Sequence, residues 1–386
     1  MNKKLFSAVL ILITISLFFS CNESEIGVFY GLAHEEKVKN YALPDHSTAE
    51  TMVKTGGYLY VAASSIYKKK AEGGELDWHK IKSPNGYHNV TEMGLVGDTI
   101  YILAYDPDEA KAYLFSGSGD GSWERKTTPI DGKISRMRVA NDVIFITDRE
   151  GHLYSGDGSS FSQDTSLPDS KLFITSTGSF DLTYGGGSYY LNAQYKLYRG
   201  APGGWTEFTP MHKGKIWKDK EDVFTRLYYD EVDDRLYTAD NSGYIYAVDS
   251  PSGASGTSWV KSDSHAASGM GLQGLIVLRI PTSSGEKHKV LLAGTGVNAG
   301  RGYFEVHNPR TSKRDYLDPK RPRHSIEILS DYYDYMAFDI SKASINSFFI
   351  DEYGDDTTFD LYALTYGYGV WKNANKGGYV RGWNQE

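Results

Sequence analysis

The chain of 386 residues contains one cysteine, Cys21. That excludes an intrachain disulfide and any metal site built on paired thiolates. Past the N-terminus there is no apolar run long enough to span a bilayer as a helix, and no segment holds a sustained helical period. Basic residues are in deficit, 41 Lys and Arg against 49 Asp and Glu, for a formal charge of −8. Such an acidic body argues against a general role on nucleic acid or anionic membrane. None of the ten histidines forms an H-x-x-x-H or H-E-x-x-H pair, and no phosphate-binding glycine signature precedes a helical pattern. The Gly-rich stretch from Gly294 to Gly302 lies between two strand-like runs and reads as a hairpin turn. No cofactor and no metal are expected, and no catalytic residue is assigned.

What the chain has in excess is glycine, 41 residues, and tyrosine, 30 residues. Both recur within a repeated phrase: apolar strand, tight turn, second strand, Gly-rich turn, third strand carrying an aromatic. One copy runs Gly57-Tyr-Leu-Tyr-Val-Ala-Ala-Ser-Ser-Ile-Tyr-Lys to Trp78, and another Arg235-Leu-Tyr-Thr-Ala-Asp-Asn-Ser-Gly-Tyr-Ile-Tyr to Trp259. A third runs Asp360-Leu-Tyr-Ala-Leu-Thr-Tyr-Gly-Tyr-Gly-Val-Trp-Lys to Trp383. Weaker copies close on Trp123, Phe161 and Trp205, and the loosest, around Val290, lacks a closing aromatic. Anchored on Tyr60, Tyr101, Phe145, Tyr190, Tyr237, Leu292 and Tyr362, the copies are spaced 41, 44, 45, 47, 55 and 70 residues apart.

Periods of roughly 40–50 residues with about four strands each indicate propeller blades. The expected fold is therefore all-β, a seven-bladed β-propeller of four-stranded antiparallel blades over residues 49–386, with insertions in the two longest intervals. A β-sandwich with coincidental turns is the alternative. The closing Trp or Phe is expected between neighbouring outer strands, where a large ring supplies apolar area. Short helices are expected near residues 33–40 and 330–341, and residues 45–50 read as a linker.

The N-terminus opens with Met1-Asn-Lys-Lys and continues as an apolar run from Leu5 to Phe19, followed by Ser20 and Cys21. This resembles a bacterial lipoprotein signal, which implies removal of residues 1–20, acylation of Cys21, and a tether over residues 21–48 with a possible closing strand near residues 26–30. Ordinary signal cleavage, or retention of the run as an anchor, is the alternative. Two or three acyl chains hold a protein on a membrane persistently, since each buried CH2 contributes about 0.8 kcal/mol. The implied location is the cell envelope, lipid-anchored on the periplasmic or outer surface.

The blade phrase is similar to the sialidase-type (BNR, or Asp-box) and sortilin-like repeats, most closely from Leu361 to Trp371. Ser118-Gly-Asp120-Gly-Ser-Trp123 and Ser155-Gly-Asp157-Gly-Ser-Ser-Phe161 are degenerate Asp-box turns, whose Asp accepts backbone N–H bonds. Leu278-Arg279-Ile280-Pro281 resembles the sialidase Arg-Ile-Pro motif. It follows five blades instead of preceding the Asp-boxes, and no set of further arginines with a Tyr–Glu pair is readable by spacing. The carboxylate groups Asp106-Pro-Asp108-Glu109 and Asp230-Glu-Val-Asp-Asp234 lack the spaced ligands and glycine of a calcium loop. The one basic cluster, Arg310, Lys313, Arg314, Lys320, Arg321 and Arg323, falls in the longest interval and reads as a loop for an anionic or acidic partner.

These features point to a non-catalytic, protein- or glycan-binding propeller on the envelope membrane, with no nucleic-acid partner. The alternatives are an envelope glycan hydrolase or lyase with carboxylates or a Tyr in the funnel, and an assembly factor that pairs client strands at a blade edge. Radiolabelled palmitate should enter the wild-type protein and not Cys21→Ala. Equal labelling of both would remove the anchor from the account.

Overall fold

The computed structural model describes Leu43 and residues 47–386, apart from 73–77, 86, 168–179, 194–195, 213–214, 217–222, 262–271, 282–286, 296–302, 308–339, 341–342, 353–358 and 376–383. Cys21, the signal segment, the residue 26–30 strand, both expected helices apart from Ile340, and the six residues of the basic loop all lie outside the described residues. Among the described residues no helix is long and apolar enough to cross a membrane. Residues from Leu43 to Glu386 form one compact unit.

Blade one comprises β1 (Thr51–Thr55), β2 (Tyr58–Ala62), β3 (Ile66–Lys70) and β4 (His79–Ile81). Blade two comprises β5 (His88–Val96), β6 (Thr99–Asp106), β7 (Lys111–Gly117) and β8 (Trp123–Arg125). Blade three comprises β9 (Ile134–Ala140), β10 (Val143–Asp148), β11 (Leu153–Gly156) and β12 (Phe161–Gln163). Blade four comprises β13 (Phe180–Gly185), β14 (Ser188–Ala193), β15 (Lys196–Ala201) and β16 (Gly204–Glu207), and a short hairpin of β17 (Met211–His212) and β18 (Lys215–Ile216) follows it. The next four-stranded sheet holds β19 (Phe224–Asp230), β20 (Arg235–Asp240), β21 (Ile245–Asp249) and β22 (Val260–Lys261). A sheet of β23 (Leu272–Pro281), β24 (Lys287–Thr295) and β25 (Tyr303–His307) comes next, and β26 (Ser344–Glu352), β27 (Phe359–Tyr366), β28 (Val370–Asn375) and β29 (Asn384–Gln385) form the last.

Every sheet is antiparallel with neighbours in chain order. The first strands contact one another in sequence, β1 with β5, β5 with β9, β9 with β13, β13 with β19, β19 with β23 and β23 with β26, and β26 returns to β1. That circuit is a β-propeller. The expectation of seven four-stranded blades is corrected to six. The unit around Val290 forms a three-stranded sheet among the described residues. Its sequence has no closing Trp, the residue that opens or precedes the fourth strand elsewhere, and residues 308–339 beyond β25 lie outside the described set.

The repeated phrase acquires a physical meaning at the blade joints. In four blades the closing Trp donates its indole N–H to the residue that directly follows the fourth strand of the preceding blade. Trp123 bonds the Lys82 carbonyl at 2.8 Å and Trp259 the Phe208 carbonyl at 2.8 Å. Trp205 bonds the Asp164 carboxylate at 2.6 Å, and Trp78 reaches the Glu386 carboxylate beyond β29 at 2.9 Å. A buried ring finds its one donor a partner in this way, so the apolar area costs no orphaned polar group.

At two of the joints a turn glycine adds a second contact. Asp120 accepts the Ser122 N–H at 2.8 Å, and Asp157 accepts the Ser159 and Ser160 N–H groups at 2.9 and 3.1 Å. The Ser159 hydroxyl and N–H, with the Ser160 N–H, hold the Asp157 carboxyl down to about 2. Beside them Gly119 and Gly158 adopt φ of +80° and +91°, and a Cβ there would lie 2.5 and 2.1 Å from Tyr60 and Tyr101 of the blade before. The strand tyrosine of one blade thus lies under the turn of the next.

Ring closure joins the last blade to the chain ahead of β1. The Ala49 N–H donates to the Thr365 carbonyl and the Gly369 N–H to the Ser47 carbonyl, each at 2.9 Å. Residues 47–50, expected as linker, are instead docked, with Ser47 and Ala49 buried. Lys69, 2% exposed, meets the Glu386 carboxylate between the rings of Trp78 and Tyr362. Burial pulls its ammonium below the usual value and Glu386 opposes that shift.

Gly158→Ala should lower unfolding free energy by about 2 kcal/mol or more, because a strained φ and a steric clash act together. Gly187→Ala, with φ of +78° and nothing within 4 Å, should cost only about 1–2 kcal/mol. Urea unfolding of the pair measures both, and equal losses would refute the packed Tyr–Gly joint.

Candidate functional site

The first strands enclose a central cavity of about 510 Å3. Its wall carries Glu50, Arg138, Asp181, Arg226, Tyr228 and Phe348 among others. On β9, positions 136 and 138 share one side of the strand and Met137 takes the other, as the two-residue period requires. Met137 enters the apolar joint with blade two, which leaves two arginines on the opposite side. Glu92 stands on β5 and Asp181 on β13, at matching depth in their blades.

These side chains form a continuous circuit. Arg136 bridges Glu50 at 3.0 Å and Glu92 at 3.1 Å. Arg138 reaches Glu92 at 2.6 Å and Asp181 at 3.4 Å. Glu92 also accepts the Met137 N–H, and Asp181 accepts the Leu227 N–H at 2.8 Å. Arg226 lies 3.9 Å from Asp181 and donates to the carbonyls of Gln273 on β23 and, at 3.1 Å, Asn346 on β26. Asn346 and Ser347 then donate to the carbonyls of Ala49 and Glu50, at 3.1 and 2.8 Å. The chain of polar contacts therefore passes through or directly beside the first strand of each of the seven sheets in the ring and returns to its start.

The electrostatics follow from pairing. The Glu92 charge, set against burial, holds the Arg136 guanidinium above its ordinary value. Burial alone would depress Arg138, but Glu92 and then Asp181 outweigh it and the net direction is up. Arg226 goes down, because burial exceeds the help from Asp181 and Arg138 adds repulsion. Three carboxylates and three guanidinium groups balance, so the cavity carries no uncompensated charge from this set. Tyr228, the tyrosine on the wall, has its phenol pushed up to about 12 by burial and then by the Asp230 charge. It is a neutral hydrogen-bonding group near neutral pH.

The other sequence candidates are placed elsewhere. Arg279 is paired with Asp230 at 2.5 Å and lies 3.8 Å from Asp233, away from the cavity wall. Asp106 accepts the N–H groups of Asp108 and Glu109, and Glu109 pairs with Lys111 at 3.1 Å. Asp148, Glu150 and His152 bring three potential metal-ligating atoms within 4.8 Å of one another. Asp148, however, accepts the Glu150 and His152 N–H groups, each at 2.9 Å. Asp240 does the same for Ser242 and Tyr244 in blade five, with neither a histidine nor a second acid in its turn. The arrangement is the chemistry of that turn.

The circuit escaped sequence reasoning, which found no arginine set by spacing. A signal exists nonetheless. Glu50, Glu92, Arg136, Asp181 and Arg226 stand 10, 9, 9, 9 and 11 residues ahead of the strand anchors Tyr60, Tyr101, Phe145, Tyr190 and Tyr237. Charged residues at one register of an inner strand face a shared axis only if the repeats form a ring.

No protein-family model and no curated protein matches the chain. Among solved structures it resembles a GH74 xyloglucanase from Xanthomonas campestris, with 14% identity, a TM-score of 0.57, and coverage of 89% of this chain and 55% of that one. It also resembles the extracellular domain of the putative one component system BT4673 from B. thetaiotaomicron, with 13% identity, a TM-score of 0.53, and coverage of 86% and 38%. This chain thus spans about half or less of the length of those proteins. At such identity the likeness establishes the propeller fold.

Glu92, 1% exposed with three partners, should be costly to neutralise. Glu92→Gln is expected to lose about 3 kcal/mol of stability. Glu50→Gln, whose pair is partly solvated, should lose under about 1 kcal/mol. Urea midpoints for the two variants check this, and a similar loss for both would deny Glu92 its place at the centre of the circuit.

Proposed function

We propose that the protein is a lipid-anchored binding module of the cell envelope, a propeller that holds a protein or glycan partner without transforming it. The observation that carries this reading is the pairing inside the cavity. Of the carboxylates on or directly behind its wall, Glu50, Glu92 and Asp181 are engaged by arginines and Asp142 accepts the Gly97 N–H, whereas glycoside hydrolysis needs one carboxyl group as proton donor and another as base or nucleophile. Tyr228 is likewise poorly suited to act as a nucleophile, since its phenol ionises far above neutral pH. A rigid scaffold of this kind leaves recognition to the loops at its two faces.

The anchor is acylated Cys21, and the protein sits on the periplasmic or outer surface. The basic residues Arg310, Lys313, Arg314, Lys320, Arg321 and Arg323 form a partner-binding loop on an otherwise acidic body. The Asp120 and Asp157 turns support reading the repeats as degenerate Asp-box units.

The test is affinity capture from envelope extract and on polysaccharides, with reducing ends assayed in parallel. The reading expects specific retention and no new reducing ends, with retention lost when the six basic residues become Ser. Release of reducing ends would contradict the binding role, and undiminished retention by the Ser variant would remove the loop from it.

A further inference from the structure

A second cavity, about 480 Å3, lies at the outer part of blade one, where β4 ends and the chain crosses to blade two. Its polar lining comes from Ser65, Lys80, Lys82, Ser83, Asn85 and Tyr87, and among the described residues no carboxylate lines it. On a chain of net charge −8 that is a local reversal of sign. Lys80 and Lys82 are exposed and take part in none of the ion pairs among the described residues. Lys54, Lys111, Lys126 and Lys196 are each paired with a carboxylate, while Lys68 and Lys133 likewise take part in none of these ion pairs.

The recess is held in shape from outside. The Lys82 carbonyl accepts the Trp123 indole of the next blade at 2.8 Å, which fixes the backbone between the two lysines' strand and the crossing. The Tyr87 N–H donates to the Pro84 carbonyl at 3.1 Å, closing the turn that carries Asn85. The Tyr87 ring is seated edge-on against Phe115 and Tyr113, at 4.7 and 5.5 Å between centroids. The Ala63 N–H bonds the Ser65 carbonyl at 2.8 Å, just ahead of the β3 residue paired with Ile81 at the end of β4. A cavity of this size, pre-formed and with a few convergent polar groups, has the dimensions of a ligand pocket.

The chemistry of the wall selects among anions. Two ammonium groups supply point charges that attract any anion, so the neutral groups beside them decide which anion fits. Two hydroxyls, an amide and a phenol both donate and accept hydrogen bonds, which matches a ligand rich in hydroxyls better than a bare oxyanion that only accepts. At physiological salt, repulsion from the distant acidic surface is screened beyond about 8 Å, so the lysines within the recess dominate what an entering ligand experiences.

We propose that this recess binds an acidic saccharide, with the carboxylate of a uronic acid residue at Lys80 and Lys82 and its hydroxyls on Ser65, Ser83, Asn85 and Tyr87. The proposal rests on the binding role put forward above and assigns it a ligand class and a place outside the central channel. Because both lysines are surface groups, their replacement should leave the urea midpoint unchanged.

Calorimetric titration of the full chain with a galacturonic acid trimer tests the site. The trimer should bind, weakening as salt rises. A neutral galactose trimer on the wild type, and the acidic trimer on the Lys80→Ser/Lys82→Ser variant, should each bind about tenfold more weakly or worse. Excess inorganic phosphate should not displace the trimer. No binding to the wild type, equal affinity in the double variant, or full displacement by phosphate would each overturn the assignment. If the trimer binds wild type and variant alike, the recess is wrong and the binding role stands. Failure of the wild type to retain either the trimer or any envelope partner would remove both.

Discussion

The polar circuit around the central channel is the constraint on which the rest of this structure depends. A propeller has no single core; each joint is an apolar cluster shared by two neighbouring sheets. Such joints are local, and one of them packs the last sheet against the first. The circuit from Glu50 through Glu92, Arg136, Arg138, Asp181 and Arg226 to Asn346 links them all, because it has a member or a carbonyl acceptor in or directly beside each of the seven sheets of the ring. Buried charge is tolerated there because each group has a partner of opposite sign or a backbone acceptor.

The joints at the rim obey a second rule that works with the first. A closing Trp reaches back one blade to the end of the fourth strand, and a turn glycine leaves room for the preceding blade's tyrosine. At the seam the same rule recruits Glu386 as the acceptor for Trp78, while residues 47–50 dock on the last blade. The seam is therefore closed near the axis by side-chain amide and hydroxyl hydrogen bonds, between the sheets by an apolar cluster, and at the rim by an indole and a buried lysine. The consequence for function is direct. The arginines and the carboxylates of the circuit satisfy one another, and the binding role proposed above places recognition in the loops and in the recess beside Lys80 and Lys82.

Much of this was legible beforehand, and for physical reasons. The repeat of strand aromatic, turn glycine and closing Trp is local, and local chemistry such as the Asp120 and Asp157 turns is readable from neighbouring residues. The number of four-stranded blades was overestimated because the strands near Val290 satisfy the apolar part of the phrase, as Leu291, Leu292 and Ala293 do on β24, while the sequence after them has no closing Trp. The channel set was missed because its members are about 40–50 residues apart and become neighbours only when the ring closes. Arg279 attracted notice through a local motif and proved to be half of an ordinary ion pair with Asp230.

The most direct test of the central claim is a double-mutant cycle on Glu92→Gln and Arg138→Met, read by urea unfolding. The circuit predicts a coupling of about 2 kcal/mol or more between the two sites. A coupling below about 0.5 kcal/mol, with the single losses simply adding, would contradict the view that these paired charges hold the propeller closed.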